Sequence, residues 1–93
     1  MNLQEAYLRS AASQHSYLIS QHAFQRMGER GITEEDVKRC ALGGRIVGKQ
    51  DHGGDVKLIV QGTDHDGEVF YMVVALAYPR PVVVTVCRSR QDV

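Results

Sequence analysis

Residues 21–36 read QHAFQRMGERGITEED, and the layout of the whole chain follows from this stretch. At 3.6 residues per turn, Ala23, Phe24 and Met27 share one side, which predicts an inward face on a helix over residues 21–30. His22, Arg26 and Arg30 stand at i, i+4 and i+8 and make an adjacent stripe, with Glu29 beside it. Ser20 precedes the helix as a capping hydroxyl. Gly31 ends it, because glycine takes the left-handed conformation after a last helical turn at little cost, and Ile32 folds back onto that turn. Thr33 opens a second helix. Its hydroxyl sits at the N-cap, Glu34, Glu35 and Asp36 face the positive helix end, and Asp36 holds the capping-box position usually taken by Glu or Gln. Val37, Cys40 and Ala41 form the buried side of this helix, Lys38 and Arg39 point outward, and Gly43-Gly44 stop it.

Working outward, residues 1–15 predict a further helix with Leu3, Ala6, Tyr7 and Ala11 near one face and Leu8 at its edge. The short apolar patch at residues 16–20 reads as a turn or a stub of strand. After Gly44 the period becomes extended. Strands are predicted over residues 45–51, 55–63, 68–78 and 82–88. They are separated by the turns His52-Gly53-Gly54 and Asp64-His65-Asp66-Gly67 and by the break Pro79-Arg80-Pro81. The third strand is apolar on both faces. That predicts a central position, covered on both sides or covered on one side and dimerised on the other. Short connections make the strands an antiparallel meander. The expected fold is α+β, with two or three N-terminal helices packed on a four-stranded antiparallel sheet. It forms one domain over residues 1–93, helical in 1–43 and sheet in 44–90.

Hydrophobic residues make up 43% of the 93 positions. That suffices for one core with little stability to spare, so a partner or a homodimer contact would add to it. No run of about 18 apolar residues is present, which excludes a helical membrane span. The first residues, MNLQEAYLRS, lack the basic region and apolar core of a secretory signal, so a cytoplasmic location is expected. Cys40 and Cys87 form neither a disulfide framework nor a zinc spacing and read as small buried hydrophobes. Eleven Lys and Arg balance eleven Asp and Glu, which excludes a globally basic nucleic-acid surface. The halves differ: residues 1–50 carry seven basic and five acidic side chains, residues 51–93 four and six. Local positive patches therefore stay open.

Taken in order, His22, Arg26, Met27, Arg30, Gly31, Ile32, Asp36 and Val37 spell H-x3-R-M-x2-R-G-I-x3-D-V, followed by Gly44 and a strand. This resembles the bacterial family catalogued as domain of unknown function 4258, over about residues 18–88. The strand half matches as a hydrophobic pattern ending in Val84-Thr85-Val86, with Cys87 where an aromatic residue is expected. The resemblance implies kinship to the small toxins of toxin–antitoxin systems and a fold similar to the RelE and barnase-like ribonucleases. RNA would then be the substrate and an antitoxin protein the partner.

Metal-independent RNA cleavage needs a base for the 2′-hydroxyl proton, an acid for the leaving 5′-oxygen, and cations for the charge on phosphorus. Histidine suits proton transfer, and arginine grips phosphate oxygens. His22 is the candidate acid or base, Arg26 and Arg30 the phosphate grip. From the last strand Thr85 completes the site, or else Arg88 or Arg90; strand alternation puts Thr85 and Arg88 on opposite faces. The same stripe also fits an ion-paired helix surface with no chemistry. A metal site from His52, His65 and Asp66 follows no recognised spacing, and neither metal nor cofactor is called for. Phe70, Tyr71 and Tyr78 read as core, since a base-stacking platform would interleave aromatics with Lys or Arg on one exposed strand face. The rival to a toxin-like endoribonuclease is a non-enzymatic interaction module, acting as a homodimer or with a partner protein.

Overall fold

The structure is a computed structural model that describes residues 2–93; Met1 of the predicted first helix lies outside them. Three helices come first, α1 (Leu3–Ser13), α2 (Gln21–Arg30) and α3 (Glu34–Gly43), with a two-residue strand β1 (Leu18–Ile19) between the first two. The meander follows as β2 (Arg45–His52), β3 (Asp55–Thr63), β4 (Val69–Ala75) and β5 (Val82–Cys87), and a short 3-10 turn spans Arg90–Asp92. The α+β class is as expected. The sheet, however, has five strands in the order β1-β5-β4-β3-β2 and is mixed, not four-stranded and antiparallel. The added strand β1 runs parallel to β5, with Leu18 opposite Val82 and Ile19 opposite Val83. The Leu18 N–H donates to the Pro81 carbonyl at 2.9 Å and that of Ser20 to Val83 at 3.0 Å. Two residues hold too little periodicity to mark a strand, so this one exists because the chain passes the free edge of β5 on its way into α2.

The caps form as the sequence dictates. Ser20 Oγ accepts from the Ala23 N–H at 3.0 Å and donates to the Val84 carbonyl at 2.9 Å, which ties the start of α2 to β5. Gly31 is left-handed at φ 67°, and the Ile32 N–H reaches back to the Met27 carbonyl. The sites where α1 and α2 touch the core are shifted from expectation. On α1 the buried side chains are Leu8, Ala11 and Ala12, while Leu3 is 88% exposed. On α2 Ala23 and Met27 are buried and Phe24 is half exposed.

One face of the sheet meets all three helices. Leu58, Val60, Phe70, Met72, Val74, Val83 and Val86 pack there against Leu8, Ala12, Ala23, Met27, Val37 and Ala41. The alternate residues of the same strands face the other way, where Ile59, Val73 and Cys87 are still buried and the Arg90 side chain of the C-terminal turn lies over Gly48. β4 is the central strand, covered by helices on one side only. Hence Phe70 is core, but Tyr71, its neighbour in sequence, is half-buried on the other face, and Tyr78, beyond the end of the strand, is 89% exposed. Both tyrosines depart from the expected core role. Cys40 and Cys87 are buried thiols as expected, and burial pushes the Cys40 thiol up to about 12.

The seat of α3 on β3 depends on a glycine. A Cβ on Gly62 would stand 2.7 Å from Cys40 Sγ and 2.9 Å from its Cβ. Gly62→Ala should therefore lower stability by roughly 1–3 kcal/mol through overpacking, seen as a lower urea midpoint with an unchanged slope. An unchanged midpoint would mean that α3 can lift off β3 at no cost.

Candidate active site

The predicted stripe and the predicted strand residue stand on different sides of the sheet. α2 packs on the helical face, with His22 exposed in its first turn. Arg26 Nη1 lies 2.8 Å and Arg30 Nη1 3.2 Å from Glu29 Oε1. Arg26 thereby holds the Glu29 carboxyl below its ordinary value. Both guanidinium groups are committed to one carboxylate. Thr85 pairs with Val73 in register and projects from the other face, away from the helices. Arg88, on the opposite parity to Thr85, makes a structural clamp. Its Nη2 lies 2.8 Å from Asp64 Oδ2 and donates to the Arg30 carbonyl at 2.7 Å. His52 and His65 stand at opposite ends of β3, so the metal set of His52, His65 and Asp66 is not brought together. Among the described residues no three His, Cys, Asp or Glu side chains converge on a metal position.

A different constellation does converge, at the end of the molecule where α3 begins and the β3–β4 loop returns. Asp36 is fully buried. Its Oδ2 accepts from the Thr33 N–H at 2.9 Å and stands 2.9 Å from His65 Nδ1, while Oδ1 accepts from Arg39 Nη2 at 2.8 Å. Capping the helix is thus one of three tasks for this carboxylate. Burial alone would raise its pKa. The Thr33 N–H and His65 outweigh burial and hold it down to about 2. An ionised Asp36 places the ring proton of His65 on Nδ1 and leaves Nε2 facing the exposed Asp66 carboxylate. The hydrogen bond to Asp36 and the charge of Asp66, whose Oδ2 is 3.5 Å from Nε2, shift the imidazole upward from its ordinary value.

The loop that carries His65 is itself held. Asp64 Oδ1 accepts from the N–H groups of Asp66 and Glu68 at 2.8 and 2.9 Å, and its other oxygen meets Arg88. Burial opposes ionisation of Asp64, but these donors keep its pKa low. Arg88 therefore positions the turn around His65 against the end of α2.

Arg39 links this pair to a cleft. The cleft, of about 390 Å³, opens between the C-terminal end of α3 and the start of β2. Arg39, Cys40, Gly43, Gly44, Arg45, Gln61, Gly62 and Thr63 line it. Arg45 has no ion pair among the described residues. The carbonyls at the negative end of α3 would repel an anion here, but Arg9 neutralises them. Its Nη1 donates to Ala41 at 3.1 Å and its Nη2 to Gly44 at 2.6 Å. The result is a cleft bordered by two arginines, with an oriented histidine two residues beyond Thr63 in the chain.

Sequence reasoning missed this site because it read Asp36 as a cap and His65 as a turn residue. An aspartate in a cap position usually occupied by Glu or Gln was the available signal. Its partner lies 29 residues away, a distance that no local spacing reveals.

The fold is a three-helix, five-stranded α+β layer pair, with all three helices on one face of the sheet. The chain matches the family model described as domain of unknown function (DUF4258) over residues 19–88, and it belongs to that family. No curated protein and no solved structure matches it.

Proposed function

We propose that the protein is a metal-independent endoribonuclease whose proton-transfer group is His65. The observation that carries this reading is the buried Asp36 carboxylate, which orients His65 and, through Arg39, joins it to a cleft edged by Arg39 and Arg45. Protonated Nε2 gives its proton to the departing 5′-oxygen. The adjacent Asp66 carboxylate takes the 2′-hydroxyl proton. The O2′–P bond forms, the P–O5′ bond breaks, and the products are a 2′,3′-cyclic phosphate and a 5′-hydroxyl. Arg39 and Arg45 meet the charge that builds on the phosphoryl oxygens. Kinship to the RelE and barnase-like ribonucleases, a toxin role and a neutralising antitoxin belong to the same proposal.

In this reading the α2 stripe is surface. Arg26 and Arg30 already share Glu29, and such exposed pairs contribute little. Cleavage by His22→Ala should stay within about threefold of wild type, since no proton transfer is lost. A drop as large as that of His65→Ala would move the site back to α2. The experiment for the function itself is digestion of a single-stranded RNA by purified protein in excess chelator, with the new ends identified chemically. Uncut RNA would remove the proposal.

A further inference from the structure

We propose that the outer edge of β2 is a contact between two copies of this chain, paired antiparallel so that Lys49 of each meets Asp51 of the other. β2 ends the sheet, and among the described residues only β3 is hydrogen-bonded to it as a neighbouring strand. At the opposite edge the short β1 covers β5, whereas β2 runs for 8 residues with no second neighbour. The hairpin turn fixes which backbone groups of β2 face outward. Gly53 and Gly54, with φ of 63° and 98°, make a two-residue turn closed by His52 and Asp55. The closing pair of such a hairpin exchanges both of its hydrogen bonds, and bonded pairs then alternate along the ladder. Gln50 with Lys57 and Gly48 with Ile59 are therefore bonded pairs. The N–H and C=O groups of Lys49 and Asp51 point the other way, to the bare edge.

Charge selects the occupant of that edge. Lys49 and Asp51 are both exposed, and neither has an ion-pair partner among the described residues. Asp51 Oδ1 accepts from the Gly54 N–H at 3.1 Å, and Oδ2 is left for a further donor. Lys49 stands opposite Leu58 and Asp51 opposite Val56, so both side chains project to one side of the sheet. An added strand must set its own outward residues against these two. When that strand is β2 of a second copy, an alignment centred on Lys49 opposes lysine to lysine, and one centred on Asp51 opposes aspartate to aspartate. Like charges directly opposite each other destabilise a strand pair. The alignment between them, centred on Gln50, opposes Lys49 to Asp51 in both directions, and each outward N–H and C=O finds its partner.

Charges on an edge strand ordinarily deter pairing. Here they deter the neighbouring registers and favour one. A bulge between Ile46 and Gly48 ends the regular edge on one side and the turn ends it on the other, so the contact is confined to residues 48–52. It is short, and the dimer it makes is a weak one. It also lies away from the third strand of the meander, where sequence reading looked for a dimer: Met72, Val73 and Val74 of that strand are already buried within one chain.

The test is analytical sedimentation of the full chain at concentrations up to roughly a millimolar, where so weak a contact is populated. No RNA is present, so the result is independent of catalysis. Wild type should pass from monomer to dimer as concentration rises. Lys49→Glu and Asp51→Lys each oppose like charges in a pair of identical copies, and each alone should weaken the dimer roughly tenfold. Mixed in equal amounts, the two variants should pair with each other as wild type does, because each supplies the charge that the other lacks. Circular dichroism checks that each variant is folded. In the wild type itself, the Lys49 and Asp51 amide protons should exchange more slowly as concentration rises, a result that needs no variant. A wild type that stays monomeric would leave the edge to a foreign strand and overturn the proposal. So would a dimer that both variants form as readily as wild type, or a mixture that pairs no better than either variant alone.

Discussion

His65→Ala should lower the rate of RNA cleavage by about 10²- to 10⁴-fold, the range lost when a positioned acid or base is removed. The chain should stay folded. His65 is half exposed, and without it Asp36 keeps the Thr33 N–H and Arg39. Only one hydrogen bond, made by a half-exposed side chain, is lost. Far-ultraviolet circular dichroism and a urea titration check the fold, and cleavage under saturating RNA checks the rate. A variant that is folded and fully active would place proton transfer elsewhere.

Asp36→Asn should alter both stability and the titration of its partner. Folding holds the Asp36 carboxyl at about 2, below its ordinary 3.8, so the native state binds its proton less readily than the unfolded chain. That stability is present above about pH 4 and is lost as pH falls toward 2. His65 is shifted the other way, upward from 6.5. Its contribution is fully present below pH 6.5 and is lost as pH rises through the raised value. The pair therefore holds the α3 start against the β3–β4 loop most firmly between these limits, in mildly acidic solution. At pH 5.5 Asp36→Asn should cost on the order of 2 kcal/mol, and the difference from wild type should shrink toward pH 2. The imidazole of His65, followed by its carbon-bound proton resonances, should titrate at lower pH in the variant. An unmoved titration would show that Asp36 does not govern His65.

Much of the fold was legible in local chemistry. Ser20, Gly31, Thr33 and the Gly43-Gly44 pair set the helix ends because caps and left-handed glycines act over three or four residues. The Val, Ile and Leu alternation from Arg45 to Cys87 gave the meander for the same reason. Strand β1 was left open because its two residues are ordered by Pro81 and Val83, more than 60 residues away. Tyr71 reads as core because an apolar strand does not say how completely each of its faces is covered: Val73, next on the same face, is buried, whereas Tyr71 is half-buried. The candidate site shows the same limit. His22, Arg26 and Arg30 drew attention by their spacing, but spacing does not reveal that Glu29 already occupies both arginines. Asp36 and His65 meet only when the β3–β4 loop reaches the α3 cap.

The measurement that bears most directly on the central claim is a parallel digestion of single-stranded RNA in excess chelator by wild type, His65→Ala and His22→Ala. The account predicts 2′,3′-cyclic phosphate ends from wild type and from His22→Ala, and at least a hundredfold less product from His65→Ala. Cleavage that survives in His65→Ala and disappears in His22→Ala, or no cleavage by the folded wild-type protein, would contradict it.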